Sequence, residues 1–210
     1  MSLSLTIIVL LITTVISIIG FSNRNIFDGL KFNAFLIYHN RQVWRFLTSA
    51  FIHVDFIHLA INMYVLYMFG PHVESFIIGL FPSSLLGKFL YLLLFGGATV
   101  LSSFYSFEKH KHDLWYNAVG ASGAVSAIVF SFIAIYPLKS LYFIFLPGVP
   151  IPAFILGILY LLYSWYMTRK KVDQIGHDAH FFGSLFGFLF MFIIDPPLFL
   201  KFIDAITSFL

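Results

Sequence analysis

An all-α, polytopic membrane protein, a bundle of six membrane-spanning helices, is the fold class that three observations predict. Of 210 residues, 60% are hydrophobic and only 10% are charged, where a soluble domain carries roughly a quarter. The apolar residues fall in runs of about one bilayer thickness, divided by short polar or proline-marked breaks. Polar side chains within those runs are few and gather near the run ends.

Composition also excludes several functions. A net charge of +3, scattered along the chain, does not suit nucleic-acid binding. The absence of cysteine rules out disulfides, thiolate metal sites and cysteine nucleophiles. The 28 phenylalanines fit an exterior that faces lipid.

Taken in order, residues 3–20 form an unbroken apolar run. They lack a basic leader and a small-residue cleavage site, so a retained helix is expected rather than a signal peptide. Residues 21–49 mix Arg24, Asp28, Lys31, Arg41 and Arg45 with Phe27, Phe32, Phe35 and Trp44. This predicts a partly helical loop at the interface, with Tyr38 and Trp44 as belt residues. The second span is residues 56–78. The third, 88–107, follows a break at Pro82 and leads into a solvated loop from Glu108 to Asn117. The fourth span covers 119–137, and Leu141 to Leu146 is apolar but short. Pro147, Pro150 and Pro152 break the chain before the fifth span, 153–167, with a backward extension through the prolines as an option. Arg169-Lys170-Lys171 closes that span, and residues 172–177 form a polar loop. The sixth span, 178–194, stops at Asp195-Pro196-Pro197, leaving a tail from Leu198 to Leu210 to lie along the surface. The whole of 1–210 reads as one domain. Most Lys and Arg residues lie in the first, third and fifth loops, which the positive-inside rule places in the cytoplasm.

Polar groups inside spans are costly and mark candidate sites. Ser122 lies in Gly120-Ala121-Ser122-Gly123, about one turn inside the fourth span and so roughly 5 Å below its start. The flanking glycines let another helix or a substrate backbone come close; the plainer reading is a small-residue packing motif. His58 and Asn62, four apart, share one face of the second helix, and both can donate hydrogen bonds. His53 sits near that helix mouth, to support the site or to reach headgroups. His180 opens the sixth span, ahead of Gly183 and Gly187, a stripe that predicts tight helix packing. The second, fourth and sixth spans run in one direction, which puts Ser122, His180, His58 and Asn62 at one depth.

That constellation suits nucleophilic chemistry. His180 takes the Ser122 proton, the serine oxygen attacks a peptide carbonyl, and His58, Asn62 and the Ser122 N–H hold the oxyanion. Asp178 falls on another face of the helix from His180, so a dyad is expected, not a triad. Metal transport through His53, His58, His72, His177 and His180 is a rival. It lacks a carboxylate paired with His180 inside the span, and no H-E-x-x-H occurs.

With these residues in view, the chain resembles the rhomboid intramembrane serine proteases over nearly its whole length. The resemblance rests on Gly120-Ala121-Ser122-Gly123, on Ala179-His180-Phe181-Phe182-Gly183, and on His53, His58 and Asn62. Gly70 with Glu74 and the Trp44-Arg45 pair complete it. It implies a six-helix rhomboid-like bundle, Ser122 as nucleophile, His180 as base, and His58 and Asn62 as oxyanion donors. It further implies transmembrane protein substrates cut near a small residue in an unwound segment, gating by the fifth helix and the loop before His180, and no metal or cofactor. The expected location is the cell membrane, plasma or inner. The family topology puts the catalytic mouth outside, opposite to the charge count. Many members carry an aromatic residue four after the serine, stacked on the histidine; here Ser126 stands there, and Phe181 or Phe182 is expected to compensate. The alternative function is a proteolytically inactive relative that binds transmembrane helices. Such relatives typically lack the serine or the histidine, and both are present here.

Overall fold

The computed structural model describes residues 4–142, 148–170 and 176–209. The ends of the chain, most of the apolar segment expected at 141–146 and most of the polar loop expected at 172–177 lie outside the described residues. So does Lys171.

The chain opens with α1 (Leu5–Ser22), followed by α2 (Arg24–Leu30), whose first N–H groups are capped by the Asn23 side chain. A two-residue strand β1 (Phe32–Asn33) leads into α3 (Ala34–Asn40), and Asn33 Oδ1 caps α3 by accepting from the Leu36 N–H at 2.8 Å. The short α4 (Arg45–Thr48) runs into a 3₁₀ turn, Ser49–Phe51. These pieces form the partly helical loop expected between the first two spans. Arg45 holds it together from a buried position. Its guanidinium donates to the carbonyls of Asp28 at 2.8 Å and Lys31 at 2.7 Å and to Gln42 Oε1 at 2.6 Å.

Next come α5 (Phe56–Leu80) and α6 (Ser84–His110), capped by Asp55 and Ser83. Strand β2 (Asn117–Ala118) pairs antiparallel with β1. Helix α7 (Ser122–Ile135) is followed by β3 (Ser140–Tyr142) and β4 (Pro150–Pro152), an antiparallel pair. The chain ends in α8 (Ala153–Lys170), α9 (His177–Ile194) and α10 (Pro196–Phe209). The second and sixth spans therefore stand close to their expected limits, and the tail is a helix. The third runs longer at both ends. The fifth runs on through Lys170 but does not extend back through Pro150 and Pro152, which lie in β4. His177, expected in a loop, opens α9.

Among the described residues, four helices are long and apolar enough to cross a membrane: α1, α5, α6 and α9. The expected six-span count is thus carried only in part. Helix α7 has 14 residues, about 21 Å at 1.5 Å per residue, short of a hydrocarbon core of roughly 30 Å. The expected span 119–137 was too long because Val119 to Ala121 belong to a turn that binds the interfacial loop. Gly120, at φ 114°, donates its N–H to the Ser49 carbonyl at 2.9 Å. Ser122 is consequently the first residue of α7, not one turn inside it.

The core gathers around α7, where 11 of the 14 residues are buried. Helix α9 crosses it with no side chains between the backbones. A Cβ at Gly183 would run into the carbonyl of Gly123, and one at Gly187 into the carbonyl of Ala127. Ser131 Oγ of α7 also donates to the Gly187 carbonyl at 3.0 Å. On the other side of Gly123, a Cβ would strike Ser102 of α6. Helix α1 is tied to α5 through a carboxylate. Glu74 accepts from the N–H groups of Leu5 at 2.8 Å and Thr6 at 2.9 Å and from the hydroxyls of Ser4 and Thr6. The same stretch of α5 meets Thr6 at Gly70, where a Cβ would come within 2.5 Å of the Thr6 methyl. The Gly70 and Glu74 motif is a docking-and-capping device for the first helix.

Gly183→Val should push α9 off α7 and cost roughly 3 kcal/mol or more, as overpacking at a backbone contact does. Denaturation in detergent should show Gly183→Val and Gly187→Val far less stable than Gly79→Val, since nothing lies within 4 Å of a Cβ at Gly79. Equal stabilities would contradict the crossing described.

Candidate active site

The polar residues singled out in α5, α7 and α9 gather at one end of the bundle, and each is put there by a nameable local cause. The turn before α7 is fixed first. His53, fully buried, lies just ahead of α5, and its Nε2 accepts the Ala121 N–H at 3.3 Å. Because Nε2 is the acceptor, the proton of a neutral ring sits on Nδ1. There it meets Ser17 Oγ of α1 at 2.9 Å, and the Ser17 hydroxyl passes its own proton toward the Phe51 carbonyl at 2.9 Å. A chain of hydrogen bonds thus joins α1, the interfacial loop and the turn that presents Ser122. His53 does not reach headgroups.

His58 lies over Gly120. A Cβ there would come within 2.6 Å of His58 Cε1 and 3.0 Å of Nε2. With the positive φ, this makes glycine the only residue that fits. The His53 and His58 rings meet edge to face at 4.9 Å. One turn on, buried Asn62 donates an amide N–H to the His58 carbonyl at 2.9 Å, and its second amide proton has no partner among the described residues.

Ser122 and His180 are both half-buried. They lie at the same end of the α7–α9 crossing, Ser122 one residue before Gly123 and His180 three residues before Gly183. Asp178 precedes His180 by two residues on α9. Its carboxylate accepts from Ser106 Oγ of α6, which in turn accepts from the Tyr116 hydroxyl at 3.0 Å. Asp178 therefore fastens the start of α9 to α6.

The ring facing His180 is not the expected one. Phe182 packs on Tyr105 at 5.3 Å, and Phe181 stands edge-on to Phe182. Both point away because residues one and two on from His180 fall on other faces of the helix. Tyr160 of α8 instead lies nearly parallel to the imidazole, at 6.2 Å and 22°, and its hydroxyl shares a 3.0 Å hydrogen bond with Ser126. Sequence reasoning missed Tyr160; the small polar residue at 126 was the available signal that a ring had to come from elsewhere. The loop of the expected gate falls largely at 171–175, outside the described residues.

Cations at this end lie over aromatic rings. Arg169 lies over Trp165 at 4.1 Å, Lys170 over Tyr166 at 5.4 Å and Lys109 over Tyr105 at 5.4 Å. These pairs suit the headgroup level, where stems lie on aromatic faces and charges stay wet. Among the described residues, no group of three or more His, Asp or Glu side chains could hold a metal ion.

Burial, and then the neighbouring His58, push the His53 imidazole down from 6.5 to about 3. The unfolded chain therefore binds a proton at His53 that the folded chain refuses, and stability falls as pH drops from about 6.5 toward 3. The limiting slope from this one group is about 1.4 kcal/mol per pH unit. Thermal melts in detergent should show a steeper acid loss for the wild type than for His53→Gln, which keeps a neutral acceptor. Matching slopes would contradict the neutral, buried histidine.

Comparison with known proteins agrees with this architecture. A family model described as the Rhomboid domain matches residues 40–196. The mitochondrial RHOMBOID-like protein 12 of Arabidopsis thaliana is 30% identical over 146 residues, covering 66% of this chain and 42% of that protein. The putative rhomboid protease YdcA of Bacillus subtilis is 27% identical over 154 residues, 73% of this chain and 68% of that one. The human mitochondrial presenilin-associated rhomboid-like protein is 30% identical over 149 residues, 67% of this chain and 35% of its own length. The chain thus spans less than half the length of the two mitochondrial relatives. Their names lend no support to a plasma- or inner-membrane placement, while the apolar helices and the family match make this an integral membrane protein. With its apolar helical core and a matched region that takes in all four polar positions of α5, α7 and α9, the chain belongs to the rhomboid family.

Proposed function

We propose that this protein is an intramembrane serine endopeptidase that cuts transmembrane protein substrates with a Ser122–His180 dyad. The observation that carries the reading is the side-chain-free crossing of α7 and α9. It brings a hydroxyl on the first residue of one helix and an imidazole in the first turn of the other to the same end of the bundle. Membership of the rhomboid family, among whose named relatives is a putative protease, supports it.

In this reading His180 removes the Ser122 proton as the serine oxygen adds to the scissile carbonyl. It then returns that proton to the departing amine, leaving an acyl-enzyme that water clears by the same route. The oxyanion would be met by donors of two kinds. His58 and the second amide proton of Asn62 come from α5. The Ser122 N–H lies in the first turn of α7, where backbone donors have no intrahelical carbonyl and the helix dipole is positive. The early start of α7 at Ser122 strengthens this part of the proposal. The two helices crossing at Gly123 and Gly183 belong, with α1, α5, α6 and α8, to a single six-span domain in the proposed arrangement. Residues 1–210 form that domain, no metal or cofactor takes part, and the substrates reach the site from the bilayer.

The test is cleavage of a model transmembrane substrate in liposomes. Ser122→Ala and His180→Ala should each lower kcat by more than about 10³-fold, and EDTA should change nothing. Asn62→Ala should cost about 10²–10³-fold, the usual worth of an oxyanion donor. Activity that survives Ser122→Ala would end the proposal. Substrate binding by the wild type without any cleavage would favour the helix-capturing alternative.

A further inference from the structure

Helices α8 and α9 meet through two rungs of aromatic rings. Tyr160 and Tyr163 are one turn apart on α8, as His177 and His180 are on α9, so each pair shares a helix face. Tyr160 lies nearly parallel to His180, with centroids 6.2 Å apart, and Tyr163 stands edge-on to His177 at 5.5 Å and 83°. Both are ordinary low-energy arrangements for ring pairs. The two histidines are themselves 5.9 Å apart and nearly perpendicular.

What singles out Tyr160 is that it is held at its other end as well. Its hydroxyl meets Ser126 Oγ at 3.0 Å, and Phe130 flanks its ring at 5.9 Å. Ser126 and Phe130 follow Ser122 at four-residue steps, on the face of α7 that carries the serine. Below them, Gly157 of α8 lets the helices close up, because a Cβ there would come within 3.0 Å of Ile133. One tyrosine therefore bridges the helix of Ser122 and the imidazole of His180. A larger side chain at 126 would occupy the volume this ring fills.

We propose that Tyr160 is the positioning residue for the His180 imidazole, anchored for that role by Ser126. The proposal rests on the dyad reading above. It assigns to α8 a part in catalysis: the imidazole keeps its working orientation only while α8 is seated against α7. Asp178, nearest in sequence among the acids, accepts from Ser106 Oγ of α6.

The experiment uses the full chain in liposomes, with Tyr160→Leu, Tyr160→Phe, Ser126→Ala and the exchange variant Ser126→Tyr/Tyr160→Ser. Tyr160→Leu should lower kcat about tenfold, the weight of one aromatic pair, with KM unchanged. Tyr160→Phe and Ser126→Ala, which keep the ring, should stay within about threefold of wild type. The exchange variant, which returns a ring from α7 itself, should recover most of the loss. In parallel, nitrogen-15 histidine resonances of His180 should move in Tyr160→Leu and return in the exchange variant. Wild-type kcat and unmoved His180 resonances in Tyr160→Leu would overturn the proposal. A Tyr160→Phe variant as impaired as Tyr160→Leu would overturn it too. If the wild type shows no Ser122-dependent cleavage, the protease reading fails, and the His180 resonances alone decide the positioning role.

Discussion

Backbone meets backbone where α7 crosses α9, and the rest of the bundle is arranged to allow it. Gly183 and Gly187 face Gly123 and Ala127 with no room for a single added carbon. In a bilayer, where lipid tails are as apolar as leucine, such an approach replaces the hydrophobic effect as the cause of association. Dispersion contacts and short-range polar contacts do the work instead. The same contact fixes the azimuth and depth of both helices, so the positions of Ser122 and His180 follow from residues that do no chemistry themselves. Ser102 on the far side of Gly123 and Asp178 on Ser106 extend this clamp to α6.

The second constraint comes from outside the bundle. The interfacial loop is folded by hydrogen bonds from buried groups, those of Arg45 and Asn33 above all. It then fastens the turn before α7 through the Ser49 carbonyl and His53. An irregular backbone is tolerable at such a level only where its polar groups are satisfied by protein. Here they are, through Gly120, Ala121 and Ser17. Loop and site are therefore one structure, and damage to the loop should be felt at the serine before it is felt by the lipid-facing helices.

Much of this was legible in the sequence, for physical reasons. Hydropathy located α1, α5, α6 and α9 because lipid imposes length and composition on helices that face it. The glycine stripe of α9 announced a close approach, and the polar residues pointed to the end of the bundle where they now gather. Hydropathy misjudged α7, since a helix walled in by protein is free of the bilayer's length requirement and its first three expected residues were claimed by a turn. His177 reads as loop in the sequence because a polar residue at a helix start carries no apolar signal. Tyr160 escaped notice because its partners, Ser126 and His180, lie 34 and 20 positions away in either direction, and no local pattern encodes such a meeting.

The shortness and burial of α7 bear on how the molecule meets membranes of different thickness. Helices that touch lipid adjust to a thicker or thinner hydrocarbon layer by tilting or by drawing their flanking residues along the interface. Helix α7 has almost no lipid-facing surface through which such a change could act on it. Its reference frame is its neighbours, set by glycine contacts and the His53 hydrogen bonds. Bilayer thickness can therefore vary around the protein while the hydroxyl on Ser122 keeps its height relative to the imidazole on α9.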